Sequence, residues 1–194
     1  MVARRITLID GHPDPDPGRF VHALADTYAA AALAAGHDVR RIAVAGLAFD
    51  LLESRKEWEE GALPPAIAEA QDDIAWAEHL VIFYPLWLGD LPARLKGFFE
   101  QVMRPGFAFA PKAKGLPEKR LKGRTAHIVV TMGMPALFYR LYFGAHSLRS
   151  LERNILGFVG IAPTERSIVG NVEGDAEHRA KWLEAMTQFG AAGR

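Results

Sequence analysis

Two nearly uninterrupted apolar runs constrain this chain more than any other feature of its sequence. Residues 79–84 read H-L-V-I-F-Y, and residues 125–131 read T-A-H-I-V-V-T. A strand with one face in water alternates apolar and polar residues, whereas a run that is apolar at successive positions is typical of a strand buried on both faces. Such strands occur in parallel sheets with helices on each side. The two runs therefore predict the centre of a parallel sheet.

The segments around these runs alternate between strand and helix character. Short β-branched or alternating runs predict further strands at residues 3–10, 37–44 and 164–169. Composition, periodicity and stop signals predict helices at residues 20–35, 64–77, 92–103, 146–156 and 176–189. Five strands alternating with five helices favour an α/β fold with helical crossovers on both faces of a parallel sheet. The 194 residues are expected to form one domain, 1–194.

Two long segments lack a clear period. Residues 45–63 are predicted to be irregular, and residues 104–123, rich in proline, glycine and lysine, are predicted to be a surface excursion. In open parallel sheets the ligand site lies beyond the carboxyl ends of the strands, where the strand order changes direction. We therefore expect a site built from the loops 11–19, 85–91 and 132–145.

Charge and composition exclude several classes of function. Lys plus Arg and Asp plus Glu both total 23, so the formal net charge is zero, and a nucleic-acid partner is not expected. The absence of cysteine excludes disulfides, thiolate metal sites and cysteine nucleophiles. The first ten residues become polar too early for a signal-peptide core, and the longest apolar run, 80–89, is about half of a membrane span. We expect a cytoplasmic protein that does not span a membrane.

The first loop, G-H-P-D-P-D-P-G-R, admits more than one interpretation. It leads into a helix, whose first amides and positive dipole end suit a phosphate group, with His12 or Arg19 as an added donor. Alternatively, Asp16 caps the helix and Pro17 is its first residue. Both interpretations can hold at once.

A third interpretation of this loop is a hard-metal site for phosphoester hydrolysis. The ligands would be the alternating side chains of Asp10, His12, Asp14 and Asp16. Alternate residues share a face only in a strand, and the interleaved prolines disfavour a strand. We therefore expect no metal.

The loop after the third strand, Y-P-L-W-L-G-D-L-P, combines Trp87 with Gly89. An aromatic ring beside exposed backbone amides suits a flat heterocycle, which needs both stacking and hydrogen bonds at its edge. Closure of the core by Leu86, Leu88 and Leu91 would explain the same residues. The loop alone does not distinguish these alternatives.

Taken together, the loops resemble the NAD(P)H:quinone oxidoreductases, a DT-diaphorase-like group of flavoproteins that also includes ancillary subunits of potassium-efflux systems. The resemblance is carried by the runs G-H-P-D-P, R-F-V-H-A-L, V-I-F-Y-P-L-W, L-P-A-R-L-K-G-F-F-E-Q-V, G-F-A-F, V-T-M-G-M-P, Y-R-L-Y-F-G-A-H and I-L-G-F-V-G-I. It implies a flavodoxin-like three-layer sandwich with a five-stranded parallel sheet in the order 2-1-3-4-5. It also implies a flavin bound by the three loops.

The same resemblance assigns residues to parts of the flavin. The phosphate end would meet His12, Arg19, Phe20 and Val21. The isoalloxazine ring would be lined by Pro85, Leu86, Trp87 and Leu88. Its pyrimidine edge would be held by Thr131, Met132 and Gly133, and the negative charge of the reduced ring would be stabilised by Tyr139 and His146. Arg19 and Val21 stand where the family often has Ser and Asn. FMN is favoured, with FAD possible.

Tyr139 and His146 also admit a purely structural interpretation. Tyr139 lies among Phe138, Tyr142 and Phe143, which are spaced as one apolar face of a helix, so Tyr139 could be a core aromatic. His146 could be an imidazole near a helix N-terminus.

The activity implied by the resemblance is a two-electron, ping-pong transfer of hydride from NAD(P)H through the flavin to a quinone or similar acceptor. The alternative is a flavin-binding regulatory subunit of a potassium-efflux transporter. We expect a homodimer with its site at the interface, because residues 104–123, with Phe107 and Phe109, and the aromatic stretch 138–143 provide more apolar surface than a monomer of this size would leave exposed. The resemblance implies that such segments cover the flavin of the partner subunit.

Overall fold

The computed structural model describes residues 2–194. Its elements in chain order are β1 (Arg5–Asp10), α1 (Phe20–Ala34), β2 (Asp38–Ala43), a 3-10 turn (Val44–Gly46), α2 (Arg55–Glu60), α3 (Pro65–Trp76), β3 (His79–Pro85), α4 (Ala93–Val102), β4 (Phe109–Ala110), β5 (Glu118–Lys119), β6 (Thr125–Thr131), α5 (Ala136–Leu141), α6 (His146–Ser150), a π-helical segment (Leu151–Leu156), α7 (Gly157–Val159), β7 (Thr164–Val169) and α8 (Ala176–Ala192).

The main sheet has five parallel strands in the order β2-β1-β3-β6-β7 within the described residues. The predicted order 2-1-3-4-5 is therefore confirmed, with β6 and β7 as the fourth and fifth strands of this sheet. The other two strands, β4 and β5, form a short antiparallel pair inside the excursion 104–123. The carboxyl ends of β1, β3 and β6 lie side by side, because Asp10 is in register with Phe83 and Pro85 with Thr131.

The apolar run of β3 is explained by its central position. Ile82 and Tyr84 point into a core covered by α3, α4 and the helices that follow residue 146. Val81 and Phe83 point into the opposite core, which is covered by α1 and α8. Because both faces of the strand are buried, a polar residue on either face would lose its hydration, and the run stays apolar.

Some predicted boundaries were wrong. Residues 45–63 are not wholly irregular, because Ser54 accepts the amide of Glu57 at 3.1 Å and so begins α2. The predicted loop 132–145 contains α5. Helix α1 begins at Phe20, and Asp16 is not its cap.

The first loop leaves the sheet in close contact with β3. The amide of Gly11 donates to the carbonyl oxygen of Phe83 at 2.7 Å. A side chain at residue 11 would place its Cβ 2.9 Å from that oxygen, so the close approach requires glycine. The loop that follows is thereby held against the carboxyl end of β3. Within residues 2–194 the structure contains no helix long and apolar enough to cross a membrane.

Candidate functional site

The structure brings the three predicted loops together at one edge of the sheet. The amide of Leu86 donates to the carbonyl oxygen of Thr131 at 2.7 Å, which ties the loop after β3 to the end of β6. The rings of His12 and Trp87 lie 5.9 Å apart and nearly perpendicular, which brings the loop after β1 beside the loop after β3. The predicted contributors from each loop therefore face one region.

The loop after β3 presents apolar surface to solvent. Trp87 and Asp90 exchange two backbone hydrogen bonds of 3.0 Å, while Leu88 and Gly89 between them have φ of 48° and 80°. This is the backbone of a tight two-residue turn, and Leu88 is an unusual residue at a positive φ. The turn leaves Leu88 fully exposed and Trp87 half exposed, whereas Pro85 is buried. Exposed apolar side chains next to a rigid strand end suit a flat aromatic ligand.

Asp10 is the electrostatic centre of the loop after β1. Its carboxylate is 2% exposed and accepts from Nδ1 of His22 at 2.7 Å and from Nη2 of Arg41 at 2.6 Å. The amide of His12 is also directed at it, at 3.3 Å. A buried carboxylate requires such partners, because an unpaired charge away from water is strongly unfavourable. Asp10 therefore fixes the base of the loop.

The pKa values of His22 and His12 shift in opposite directions. Both ring nitrogens of His22 face acceptors, namely Asp10 and the carbonyl oxygen of Asp14 at 2.9 Å, so both must carry protons. Burial opposes that charge, but the hydrogen bonds to Asp14 and Asp10 outweigh it and raise the pKa of His22. Burial, aided by the nearby charge of His22, lowers the pKa of His12.

Nδ1 of His12 lies 3.1 Å from both the amide nitrogen and the carbonyl oxygen of Asp14. It accepts from the amide in one neutral tautomer and donates to the carbonyl oxygen in the other, so these contacts are compatible with either position of the ring proton. His12 is buried, and its ring lies edge-on to Trp87.

The predicted phosphate-end residues lie around the start of α1. Arg19 is exposed, and its guanidinium is bound to Asp14, with an Nη2 to Oδ2 distance of 2.7 Å. Arg19 precedes the first residue of α1 and makes no side-chain cap hydrogen bond. The amides of Phe20 and Val21 are therefore the first of the helix, where intrahelical acceptors are missing.

The loop after β6 places its predicted residues at different depths. Thr131 and Met132 are buried, and the amide of Met132 donates to the carbonyl oxygen of Val169 at 2.9 Å. Gly133 is exposed. The carbonyl oxygen of Met132 also accepts the amide of Val172 at 3.2 Å, so both main-chain groups of Met132 are engaged within the protein, and Gly133 is the most exposed of the three predicted residues.

The structure separates Tyr139 from His146. Tyr139 is 1% exposed, and its hydroxyl lies 2.7 Å from Oγ of Ser147 and accepts the amide of Leu148 at 3.3 Å. His146 is exposed, and its ring lies against Gly144, where an added Cβ would be 3.1 Å from Nε2. The hydroxyl of Tyr139 is thus engaged by the first turn of α6, whereas the imidazole of His146 is open to a ligand. Their roles toward a flavin remain predictions.

Sequence reasoning did not identify His22 and Arg41 as members of the site. A signal was present, because an aspartate at the end of a buried strand must find cationic partners. Arg41 lies on β2, the neighbour of β1, and His22 lies on the first turn of α1. Their pairing with Asp10 depends on tertiary packing, which residue spacing does not reveal.

An exposed apolar patch lies on and just after α5. We call it the aromatic patch; its large members are Leu137, Phe138, Leu141, Tyr142 and Phe143. The rings of Phe138 and Tyr142 are stacked 4.9 Å apart. Contiguous exposed aromatic surface is typical of an interaction site.

The residues present fit the ring of a flavin better than its phosphate. Trp87 and Leu88 offer exposed apolar surface for a flat heterocycle, and the buried imidazole of His12 lies beside Trp87. At the phosphate end, Arg19 is already bound to Asp14. Asp10 and Asp14, two of the predicted alternative metal ligands, are each paired with cationic side chains. Within residues 2–194 no group of three or more His, Asp or Glu is placed to hold a metal ion.

Comparisons with known proteins agree with the observed fold. The model of the family described as Flavodoxin-like fold matches residues 4–190. An FMN-dependent NADH:quinone oxidoreductase of Bordetella avium is 31% identical over 156 residues, which are 75% of this chain and 73% of the relative. A protein of the same name from Haemophilus influenzae is 31% identical over 110 residues, which are 57% of this chain but only 53% of the relative.

A solved structure supports the fold over the whole chain. The NAD(P)H:quinone oxidoreductase from Methanothermobacter marburgensis superimposes with a TM-score of 0.78 at 23% identity. The match covers 98% of this chain and 96% of that protein.

Proposed function

This chain belongs to the Flavodoxin-like fold family, and from that premise we propose that it is an FMN-dependent NAD(P)H:quinone oxidoreductase. The observation that carries the proposal is the region between His12 and Trp87, where exposed apolar side chains and an imidazole meet at the carboxyl edge of the sheet. The names of the Bordetella and Haemophilus relatives support FMN over FAD. They also support an enzyme over a regulatory subunit of a potassium-efflux transporter.

Each loop has a part in this proposal. Pro85, Leu86, Trp87 and Leu88 hold the ring, and Thr131, Met132 and Gly133 meet its pyrimidine edge. His12, from the loop after β1, lies beside Trp87. The bound flavin supplies acceptance of hydride from NAD(P)H and its donation to a quinone or similar acceptor.

The exposed imidazole of His146 has a separate role in this proposal. It is placed to donate a proton or hydrogen bond to negative charge that develops at the flavin edge, which lowers the energy of a charged transition state. Tyr139 acts through the position of α6, because its hydroxyl is bound to Ser147 and Leu148.

The proposal includes a homodimer. The aromatic patch and, from the excursion 104–123, the exposed Leu116 provide apolar surface for a partner subunit, whereas Phe109 of the excursion is buried and Phe107 is half-buried. A mass of 21.3 kDa by light scattering with full activity would contradict the dimer. A cytoplasmic location and a single flavin-binding domain over residues 1–194 belong to the same proposal.

Steady-state kinetics test the activity. The purified chain with added FMN should oxidise NADH or NADPH at a rate that depends on a benzoquinone acceptor. Initial rates at several acceptor concentrations should give parallel double-reciprocal lines, as expected when the first product leaves before the acceptor binds. Absence of quinone-dependent oxidation with both nicotinamides, in a preparation that binds FMN, would exclude this activity.

A further inference from the structure

We propose that Asp14 and Asp16 are built-in anions that occupy the phosphate-binding positions of the loop after β1, so that this chain holds a flavin mainly through its ring. The inference rests on the proposed flavin site and adds a determinant of its ligand specificity. It predicts weak discrimination between FMN and riboflavin, which has the same ring and no phosphate.

The amides of the loop are the first observation. Anion-binding loops at helix N-termini present free N–H groups. Pro13, Pro15 and Pro17 have none. All five amides of residues 12–19 already donate to acceptors in the loop or to the Asp10 carboxylate, and those amides belong to His12, Asp14, Asp16, Gly18 and Arg19.

The carboxylates take the best of these donors. The amide of Asp16 donates to Asp14 Oδ1 at 3.0 Å, and the amide of Gly18 donates to Asp16 Oδ1 at 2.9 Å. The hydrogen bond from the Asp16 amide, together with Arg19, lowers the pKa of Asp14, so this carboxylate stays charged at neutral pH. A phosphate that approaches the loop meets two carboxylates already bound to the groups it needs.

The cations of the loop are the second observation. Arg19 binds Asp14 at 2.7 Å and also lies 3.4 Å from Asp16. His22 and Arg41 both bind Asp10. Each of these three cations is therefore paired with a carboxylate.

A flavin phosphate must consequently displace a carboxylate before it gains a contact beyond the first amides of α1. It must open the pair between Arg19 and Asp14, and it then lies within a few ångströms of two like charges. The ring contacts carry no such cost, because Trp87 and Leu88 are exposed. The net contribution of the phosphate to binding is therefore small.

Equilibrium binding of FMN and of riboflavin to the wild-type chain tests the inference without any substitution. We expect dissociation constants that differ by less than about ten-fold, because the phosphate adds little free energy. Quenching of flavin fluorescence gives both constants, and the readout does not depend on activity.

Asp14→Asn is the matched variant. The amide oxygen of asparagine can still accept the Asp16 amide, so the turn is kept while one negative charge is removed and Arg19 keeps only its longer contact with Asp16. FMN should bind roughly ten-fold more tightly, and riboflavin should be unchanged, since one nearby like charge at a partly solvated site changes affinity by about that factor. Asp16→Asn should likewise tighten the binding of FMN but not of riboflavin, and it replaces Asp14→Asn in the test if that variant does not fold.

Asp38→Asn is the control. It changes the net charge by the same amount, but Asp38 is the first residue of β2 and lies at the amino ends of the strands, away from the loops of the site. It should leave the dissociation constants of FMN and riboflavin unchanged. Wild-type FMN binding more than about a hundred-fold tighter than riboflavin, or tighter binding of both flavins in Asp14→Asn, would overturn the inference and leave the proposed function intact. Failure of the wild-type chain to bind either flavin would instead overturn the proposed function and the inference with it.

Discussion

The hydroxyl of Tyr139 lies 2.7 Å from Oγ of Ser147. The same hydroxyl accepts the amide of Leu148, whose helix α6 has no side-chain cap of its own at Ala145. Tyr139 therefore satisfies a free donor of the first turn of α6. His146 begins that helix, so its position depends on the contact.

Tyr139→Phe should lower the free energy of unfolding by about 1–2 kcal/mol, because it leaves the buried Leu148 amide and Ser147 hydroxyl without a partner. Urea unfolding measures this loss. Tyr142→Phe is the control, because Tyr142 is exposed and should change stability by less than about 0.5 kcal/mol. Equal stability of Tyr139→Phe and the wild type would show that the hydroxyl does not cap α6.

His146→Gln should slow reduction of bound flavin by NAD(P)H roughly ten- to a thousand-fold, the range expected for the loss of one donor to a developing charge. Flavin affinity and melting temperature should change little, because the side chain is exposed. Stopped-flow absorbance gives the rate. Tyr139→Phe should have a milder effect, and the double variant should be less than additive. Unchanged rates of flavin reduction in both single variants would show that the two residues have only a structural role.

The fold was largely predictable from the sequence because hydrophobic patterning reports burial directly. The strands at residues 125–131 and 164–169 match the structure at both ends. Helix α2 was missed although its first residues follow the capping-box sequence pattern: the Ser54 side chain accepts the Glu57 amide, and Glu57 accepts the amide of Glu53, the residue before the N-cap. The helix has only six residues, so its apolar period is too short to indicate a helix, and the capping residues before it were not recognised.

The candidate site was less predictable than the fold. The adjacency of the loops follows from strand order, so the approach of His12 to Trp87 was foreseeable. The hydrogen bonds of the His22 and Asp10 pair depend on how α1 packs on β1, and the burial of Tyr139 depends on how α5 meets α6. Such contacts are set by tertiary geometry, which spacing along the chain does not report.

Asp10→Asn should destabilise the fold by about 3 kcal/mol, because it leaves His22 and Arg41 without their buried counter-charge. It should also lower the pKa of His22, which NMR titration of the imidazole measures. Asp26→Asn is the control, since Asp26 is exposed and pairs with Arg41 alone; it should cost less than about 1 kcal/mol. An unchanged pKa of His22 in Asp10→Asn would contradict the ion pair.

The raised pKa of His22 fixes the sign of a pH effect. The stabilisation from its charged form is complete below its unfolded pKa of about 6.5 and is lost as pH rises through the higher folded value. Asp10→Asn should therefore lose less stability than the wild type as pH rises from neutral into the alkaline range.

His79 should give the opposite pH dependence. Burial, with a smaller effect from the charges of Arg4 and His127, lowers its pKa to about 3. Between the unfolded value of about 6.5 and this folded value the unfolded chain binds the extra proton, so stability should fall by about 1.4 kcal/mol for each pH unit of acidification. Urea unfolding at several pH values should show a shallower slope for His79→Gln than for the wild type. Identical slopes in His79→Gln and the wild type would contradict a neutral buried His79.

The visible spectrum of the purified chain tests the central claim most directly. After addition of FMN and removal of free flavin by rapid filtration, the protein should retain flavin absorbance, and anaerobic NADH or NADPH should bleach it as the flavin is reduced. The account would be contradicted by a chain that binds neither FMN nor FAD at micromolar concentration and instead hydrolyses a phosphoester when a divalent metal is supplied.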